Sequence, residues 1–321
     1  MTVLYDYASI GFFTFDCLGR PVRRIPGPTE FDFLEEITIA VSGAAGAAAI
    51  VAAKYGMKVL GVGGVGTDDM GDWVLGKLGQ HGVDTSLMQR IDGVGTSSSI
   101  VAVQDNGQRP AMHMRGATGS FEIAPDQFDK VLDATFVHIG GAGLMDRMDG
   151  EPTVDLLTRA KQRGCTTTLD VASARHEDMS MIARLLPHVD YFLPSVEEAR
   201  LLSGLSDTRD VARFMLDRGV RCCILTLGED GAYYHHADGT RFHIPAFEVE
   251  VVCTCGCGDA FNAGFVAGLH RGLGAEDSVT LAQATSALNA TGLGSQAGVR
   301  SFDHTMEFAR SAKRKTNTLA A

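Results

Sequence analysis

Apolar runs and helix-like segments alternate through most of the chain, and this alternation predicts the class of fold. From about residue 121 onward, the strand-like runs Phe136 to Gly140, Thr166 to Leu169 and Cys222 to Thr226 are separated by segments of helical character such as Thr153 to Arg163. Strands that alternate with helices form a parallel sheet with helices on both of its faces. We therefore expect an α/β fold with a doubly wound, mainly parallel sheet.

The first third of the chain has a second β-rich pattern. Leu4 to Phe15 and Phe31 to Ile39 are strand-like, and so are Thr96 to Val103 and Arg109 to Met114. The turn signal Asp105-Asn106-Gly107 joins the last two into a hairpin. These segments predict additional β-structure beside the main sheet.

A glycine-rich run follows the strand predicted from Met57 to Val62. Gly61 to Gly66 matches G-x-G-x-x-G, and Asp84 follows at the spacing of a dinucleotide-binding fingerprint. This pattern raises a dehydrogenase hypothesis. Asp68 and Asp69 weaken it, because two carboxylates at the start of the next helix would repel a pyrophosphate.

A turn near the end of the chain carries the most specific chemistry. The strand-like run Phe247 to Val252 enters a turn over 253–258, and the turn delivers Asp259 onto a helix that reaches about Leu269. Amides at a helix N-terminus bind anions. An anion site beside a fixed carboxylate base suits phosphoryl transfer to a hydroxyl. The alternative is a solvated turn in which Asp259 caps the helix.

The same turn resembles the D-T-x-G-x-G-D-x-F signature of the ribokinase/PfkB carbohydrate kinases. Cys253 stands where that family has its first Asp, and the matching residues are Thr254, Gly256, Gly258, Asp259 and Phe261. The resemblance extends over about residues 3 to 305. It implies a ribokinase-like fold with a small β-sheet lid, built from about residues 12–40 and 95–118. It also implies ATP-dependent phosphorylation of a primary hydroxyl on a sugar or sugar-like molecule, with ATP and Mg²⁺ as cofactors.

The resemblance assigns the catalytic groups to this turn. Asp259 would be the general base, and the amides of Gly256, Cys257 and Gly258 would form the anion hole. Cys253, Cys255 and Cys257 form C-x-C-x-C, which is too compact for a structural zinc site without further ligands. We expect Cys257 to have a lowered pKa at the helix N-terminus and to be sensitive to oxidation.

The resemblance also assigns the substrate side of the site. Asp16, at the end of the first β-rich run, would bind sugar hydroxyls, although a turn Asp is the alternative. Gly43, just before a helix predicted over 44–55, matches a family glycine, whereas Ala47 replaces the sugar-binding Asn. A methyl group cannot bond a hydroxyl. Arg109 and Arg115 indicate a site for anions, or are two solvated charges on a hairpin.

The resemblance also assigns residues that would bind the nucleotide, and their motifs follow one another in the order found in the family. Glu198 would act on Mg²⁺ through water. Alternatively, Ser195 and Glu198 form a helix capping box, and the two roles are compatible. Asp170 and Arg175 match a D-P-N-x-R segment in part, and His138 is expected in the core. The expected nucleotide-binding residues are Ser195, Thr226, Gly228, Gly231, Gln283, Ala287 and Asn289.

Composition and charge limit the partners and the cellular location that the sequence predicts. The chain has 321 residues and a formal net charge of −11, which argues against nucleic acid as a partner. We expect a kinase domain over 1–312, a frayed tail over 313–321, and no membrane span. Seven cysteines and no recognisable export signal indicate the cytoplasm.

Three functions remain open from the sequence. A sugar kinase is favoured, a nucleoside kinase of the same fold is the alternative, and a non-catalytic ligand-binding protein on this scaffold is the third. Neither the sugar or nucleoside nor the oligomeric state is fixed, although a homodimer through the lid is expected to be possible. Because the thiol of Cys253 is a poor ligand for a hard cation, we expect weak or no activation by potassium.

Overall fold

The computed structural model describes residues 3–172 and 176–316, so Arg175 lies outside the described residues. The strands in chain order are β1 (Tyr5–Gly11), β2 (Thr14–Arg20), β3 (Glu36–Ser42), β4 (Val59–Gly66), β5 (Gln89–Ile91), β6 (Ser98–Ala102), β7 (Ala111–Met114), β8 (Ala134–Ala142), β9 (Thr166–Val171), β10 (Tyr191–Phe192), β11 (Cys222–Thr226), β12 (Ala232–His236) and β13 (Arg241–Ile244). The helices are α1 (Ala44–Lys54), α2 (Asp69–Gln80), α3 (Phe128–Val131), α4 (Glu151–Gln162), α5 (Met179–Leu185), α6 (Val196–Ser203), α7 (Thr208–Leu216), α8 (Cys257–His270), α9 (Ala275–Asn289) and α10 (Phe302–Ser311).

The main sheet has the order β13-β12-β11-β10-β9-β8-β1-β4-β5. Its pairs are parallel from β5 to β11, and β12 and β13 add an antiparallel edge. Successive side chains of β8 enter different cores: Val137 packs with α4 and α7, and Phe136 packs with α1 and α8. Helices therefore cover both faces, and the predicted doubly wound α/β fold is confirmed.

A separate four-stranded sheet forms the lid, in the order β3-β2-β6-β7. Its outer pairs are antiparallel and its central pair, β2 with β6, is parallel. The register places Asp16, Ser99 and His113 in one cross-strand row. Because side chains alternate between the faces of a strand, Cys17, Ile100 and Met112 belong to the opposite face.

The glycine-rich run 61–66 lies inside β4, so the dehydrogenase interpretation is wrong. A dinucleotide fingerprint needs a turn between strand and helix, whereas here the strand continues to Gly66. The glycines allow close packing instead, since a Cβ on Gly63 would lie 2.6 Å from the carbonyl oxygen of Gly11. Asp84 accepts a 2.6 Å hydrogen bond from the hydroxyl of Tyr5.

The strand expected over 247–252 is also wrong. Within the described residues, 247–252 joins neither sheet, because the amide of Val252 donates to the carbonyl of Ala290 at the end of α9. Phe247 forms an isolated antiparallel bridge with Arg314. The amide of Lys315 donates to Ala246, so the start of the predicted frayed tail is paired to this segment.

No helix among the residues that the structure describes has the length and apolar character required to cross a bilayer.

Candidate active site

A cavity of about 580 Å³ lies between the lid and the ends of the parallel strands. β9 and β11 contribute residues from their carboxyl ends, where ligands bind in open α/β sheets. The lid contributes residues of β2, β6 and β7, and the N-terminus of α8 lies on the same cavity. The predicted site residues that line it are Asp16, Gly43, Arg109, Ser195, Glu198, Thr226, Gly228, Gly256, Cys257, Gly258 and Asp259.

The turn before α8 exposes amides to this cavity. Gly256 is the N-cap residue and adopts a left-handed conformation with φ of 68°. The amides of the first helical turn have no acceptor within the helix, and the amide of Cys257 makes only a long, 3.4 Å bond to the carbonyl of Thr254. A Cβ on Gly258 would meet nothing within 4 Å in the described part of the chain, so its backbone is open to a ligand.

Asp259 occupies the third position of α8 and lines the cavity. Burial raises the pKa of its carboxyl group to about 6. The positive charge of Arg109 opposes this rise, whereas Glu198 and Asp16 add to it. A carboxyl group with such a pKa is ionised at neutral pH and is a stronger base than an ordinary Asp.

Two further carboxylates, those of Asp170 and Glu198, line the same cavity. Burial is the main cause of the raised pKa of both Asp170 and Glu198, and the charge of Glu198 raises that of Asp170 further. Asp170 accepts a 2.9 Å hydrogen bond from the side chain of Asn262. Such a concentration of buried negative charge favours a divalent cation. Among the described residues, no three His, Cys, Asp or Glu side chains lie together as a potential metal-binding group.

Comparison with known proteins identifies the family. Residues 8–301 match the family described as pfkB family carbohydrate kinase. The chain belongs to this family. It is 28% identical over 287 residues to ribokinase from Staphylococcus aureus (strain COL), covering 87% of this chain and 91% of the relative. It is 29% identical over 257 residues to aminoimidazole riboside kinase from Salmonella typhimurium, covering 78% and 80%.

Solved structures share the fold. The structure of Arabidopsis thaliana ribokinase complexed with ribose and ATP superimposes with a TM-score of 0.81 at 20% identity, covering 97% of this chain and 99% of that one. The predicted membership of the PfkB family and the predicted ribokinase-like fold are thereby confirmed.

Asn289 supports the pfkB-type turn from behind. It is fully buried, and its side-chain amide donates a 2.7 Å hydrogen bond to the carbonyl of Cys255. The sequence assigned Asn289 to the nucleotide, whereas in the structure its side chain bonds to the turn before α8. Gly264 and Gly268 let α8 pack tightly on α9, since a Cβ there would lie 2.5 Å from Thr285 and 2.8 Å from Ser278.

Three other predicted nucleotide residues lie away from the cavity. Gly231 has a φ of 105°, and a Cβ there would lie 2.0 Å from the carbonyl oxygen of Ile244, so this glycine serves the β11–β12 turn. Gln283 is 5% exposed within α9. Ala287 packs against Phe247 in a small apolar cluster. The structure gives their predicted adenine contacts no support.

Two predicted substrate residues are likewise outside the cavity. Ala47 is fully buried in α1 and does not line the cavity. Arg115 forms an ion pair with Asp146 at the surface. Asp16 lines the cavity from the middle of β2 rather than from the end of a strand. Burial raises its pKa, and hydrogen bonds from Ser99, Ser42 and Thr14 oppose the rise.

Phe12 and His113 form an aromatic wall of the cavity that was not predicted from the sequence. His113 lies in β7, and its Nδ1 is 3.0 Å from the Oγ of Ser99. Its ring meets the ring of Phe12 edge to face, with centroids 5.2 Å apart. Both side chains line the cavity. The period of two along the predicted hairpin could have found His113, because Arg109, Ala111 and His113 share one face.

Ser195 and Glu198 form the capping box that the sequence left as one alternative. The amide of Ser195 donates to Oε2 of Glu198 at 3.0 Å, and the amide of Glu198 donates to Oγ of Ser195 at 3.2 Å. This alternative is confirmed. The role of Glu198 toward Mg²⁺ stays a prediction, because a carboxylate in such a box still has lone pairs for a water ligand.

The expectation that Cys257 has a lowered pKa is wrong. Burial raises the pKa of Cys257 to about 11, although the hydrogen bonds of its Sγ with the side-chain amide of Asn289 and the carbonyl of Ser286 oppose the rise. The pKa of Cys253 is lowered to about 6, mainly by its hydrogen bond with the side chain of Cys255. A role of these thiols in redox regulation stays a prediction.

His138 is fully buried, as expected, and burial lowers its pKa to about 4.

Proposed function

We propose that the protein is an ATP-dependent kinase that phosphorylates a primary hydroxyl of a sugar or sugar-like molecule. One observation carries the proposal: Asp259, the first-turn amides of α8 and Asp16 of the lid border a single cavity. A base, an anion hole and a hydroxyl-binding carboxylate are the groups that phosphoryl transfer to an alcohol requires. Family membership adds to this argument.

In the proposed reaction, Asp259 accepts the proton of the substrate hydroxyl. The hydroxyl oxygen then bonds to the γ-phosphorus of ATP, the bond from this phosphorus to the bridging oxygen breaks, and ADP leaves. The amides of Gly256, Cys257 and Gly258 hold the negative charge on the migrating phosphoryl oxygens. Arg109 lines the same cavity and would attract the phosphates.

Mg²⁺, when bound, neutralises charge on the ATP phosphates. Glu198, through water, and Asp170 are the residues that would hold it, since both are acidic and buried and line the cavity. Thr226 and Gly228, at the end of β11, would contact the phosphates. Asp16 would accept hydrogen bonds from substrate hydroxyls. Hydrogen bonds from Ser99, Ser42 and Thr14 favour the ionised form of its carboxyl group, because they oppose the rise of its pKa that burial causes.

A nucleoside kinase is the second candidate. The rings of Phe12 and His113 form an aromatic corner in the cavity, and such a surface suits a planar base attached to ribose. The matched aminoimidazole riboside kinase acts, by its name, on a riboside.

A panel of acceptors tests both candidates. Free pentoses, hexoses and nucleosides would be incubated with ATP and Mg²⁺, and ADP formation would be measured together with the phosphorylated product. We expect transfer to at least one free sugar. Transfer to nucleosides alone would favour the second candidate. A protein that binds these compounds but transfers phosphate to none of them would be the non-catalytic alternative, and the proposal would be wrong.

We also propose that two lids associate in a homodimer. Ile39, Cys17, Ile100 and Met112 form one row across the lid, and Ile100 and Met112 are 61% and 58% exposed. A contiguous apolar face of this kind marks an interaction surface, and a second copy would cover it through a two-fold contact. Light scattering should give a dimer, and Ile100→Arg a monomer, while Leu205→Arg, at an exposed site elsewhere, stays dimeric.

The cytoplasm is the proposed location. All seven cysteines are free thiols, as a reducing compartment maintains them.

A further inference from the structure

A second cavity, of about 200 Å³, lies on the other side of loop 293–297 from the active site. It is bordered by β3 of the lid, the C-terminal turns of α1 and α2, and the loop itself. Ser295 lines both this cavity and the active-site cavity. The loop is therefore a thin wall between two separate spaces.

Three basic side chains converge on the second cavity: Lys54, Lys77 and His81. Each is half-buried. Among the described residues, no Asp or Glu lines this space. The Nζ of Lys54 donates hydrogen bonds to the carbonyls of Gln296 and Val299, at 2.9 and 2.8 Å, which leaves one of its three N–H groups for another acceptor.

The basic groups repel each other. Burial lowers the pKa of Lys54, and the charge of Lys77 lowers it further. Burial also lowers the pKa of His81, and both lysines add to that effect. Each of these shifts has the direction expected for cations that lie together without a counter-charge. A bound anion would remove the repulsion.

Helix capping accounts for only part of this arrangement. Lys54 and Lys77 occupy the last turns of α1 and α2, where each helix end carries about half a negative charge. Two such ends offset about one of the two lysine charges, so a net positive charge of about one remains before His81 is counted. Capping also does not explain why Lys54 reaches the carbonyls of a different loop.

We propose that this cavity is a binding site for a tetrahedral oxyanion of the phosphate class, either free phosphate or the phosphate end of a small monoester. The volume supports this class of ligand. Sites for whole drug-sized ligands or nucleotides usually enclose about 300–1,000 Å³, which is more than this cavity offers. A water molecule takes about 30 Å³, so a phosphate ion with part of its hydration fits. The proposal is independent of the reaction proposed for the neighbouring site.

The position of the site connects it to the anion hole. Gln296, which lines the cavity, is a non-glycine residue with a positive φ of 63°. The backbone amide of Gln296 donates a hydrogen bond to Oδ1 of Asn289. The side-chain amide of Asn289 in turn donates to the carbonyl of Cys255. An anion held by Lys54 would therefore bind against the loop that supports the turn before α8.

Thermal unfolding tests the proposal. The full chain would be saturated with Mg²⁺ and a non-hydrolysable ATP analogue, so that the active-site amides are occupied, and inorganic phosphate would then be added at constant ionic strength. We expect the unfolding midpoint to rise and saturate, because a ligand of the native state stabilises it. Lys77→Met should abolish most of this rise, whereas Lys130→Met, at an exposed lysine of α3, should leave it unchanged.

General salt effects are separated by the same variants. Phosphate also stabilises proteins by exclusion from their surface, and that effect would be equal in the wild type and in Lys77→Met. An equal response in both proteins, or none in either, would overturn the proposal. Lys77→Met should retain its basal turnover, which shows that it is folded.

A spectroscopic titration gives a second readout that needs no variant. The imidazole signals of His81 should shift with inorganic phosphate along a saturable curve. Methyl phosphate, as a second probe, distinguishes the two sources of the ligand: saturation with both anions indicates that a phosphate end suffices, and saturation with inorganic phosphate alone indicates the free ion. If neither anion shifts the His81 signals, the proposed site is wrong.

Discussion

Gly256 lies so close to Ser295 that a Cβ on Gly256 would stand 2.6 Å from the Oγ of Ser295. Gly256 also has a φ of 68°, a backbone angle that residues other than glycine adopt only at an energetic cost. The bend that presents the amides of α8 therefore depends on the contact between this glycine and loop 293–297.

The first prediction follows from this contact. Gly256→Ala should lower the free energy of unfolding by at least about 1–2 kcal/mol, the cost of a left-handed alanine, because the methyl group also collides with Ser295. Gly258→Ala is the matched control for stability: its Cβ meets nothing within 4 Å among the described residues. It should unfold like the wild type and yet lose turnover, since Gly258 lines the cavity and a methyl group there would hinder the proposed approach of a phosphate to its backbone. Denaturant unfolding and steady-state kinetics measure the two effects, and equal stabilities would refute the role of Gly256.

The second prediction concerns the base. Asp259→Asn should reduce kcat by about 10²–10⁴-fold, the usual contribution of general-base catalysis, without weakening the binding of a non-hydrolysable ATP analogue. Asp277 provides the control, because it occupies the third position of α9 after a glycine N-cap and is exposed. Asp277→Asn should retain full activity. Unchanged turnover of Asp259→Asn would remove Asp259 from the reaction.

The third prediction links Asp259 to stability. Its pKa is raised from 3.8 to about 6 in the folded protein, so the folded state binds the proton more tightly than the unfolded state does. The ionised carboxyl group therefore destabilises the fold as pH rises from about 4 to about 6. Asp259→Asn should be more stable than the wild type above pH 6, by about 1–3 kcal/mol, and the difference should disappear below about pH 4.

Unfolding in denaturant at several pH values checks this sign. Asp238 offers the opposite case, since hydrogen bonds from Thr240 lower its pKa to about 2. Asp238→Asn should be the less stable protein at neutral pH. A loss of stability in Asp259→Asn at pH 7 would contradict the raised pKa.

The fourth prediction concerns Arg109, whose charge lowers the pKa of Asp259. Arg109→Gln should raise that pKa, so the acidic limb of the pH profile of kcat/KM should move to higher pH. Arg109→Lys keeps the charge and should restore the position of the limb, even if KM stays altered. A limb that stays in place in Arg109→Gln would show that Arg109 does not act on the base.

The fifth prediction concerns monovalent cations. Cys253 is fully buried, and its Sγ accepts a 3.3 Å hydrogen bond from the amide of Cys255. Since sulfur is a poor ligand for potassium, exchange of sodium for potassium should change kcat by less than about two-fold. Cys253→Asp should gain potassium dependence. A several-fold activation of the wild type would show that other oxygens suffice for such a site.

Much of the fold was available from local patterns. The strand Cys222–Thr226, the helix that begins at the turn before Asp259 and the hairpin of the lid were predicted near their observed positions, because periodicity and turn residues act over a few neighbours. The same local patterns failed for 61–66 and 247–252. Whether a glycine-rich run continues as a strand or bends depends on the strands beside it, and those neighbours are distant in sequence.

The sequence by itself determined the chemistry of the turn: glycines where the backbone must bend, and a carboxylate at the third position of the helix that follows. Only the tertiary structure decided which side chains share that space. It placed Asn289 beneath the turn before α8, removed Ala47 and Arg115 from the cavity, brought His113 into it, and grouped Lys54, Lys77 and His81 behind loop 293–297. The physical reason is that burial and charge proximity arise from packing between elements, and no pattern within one element specifies them.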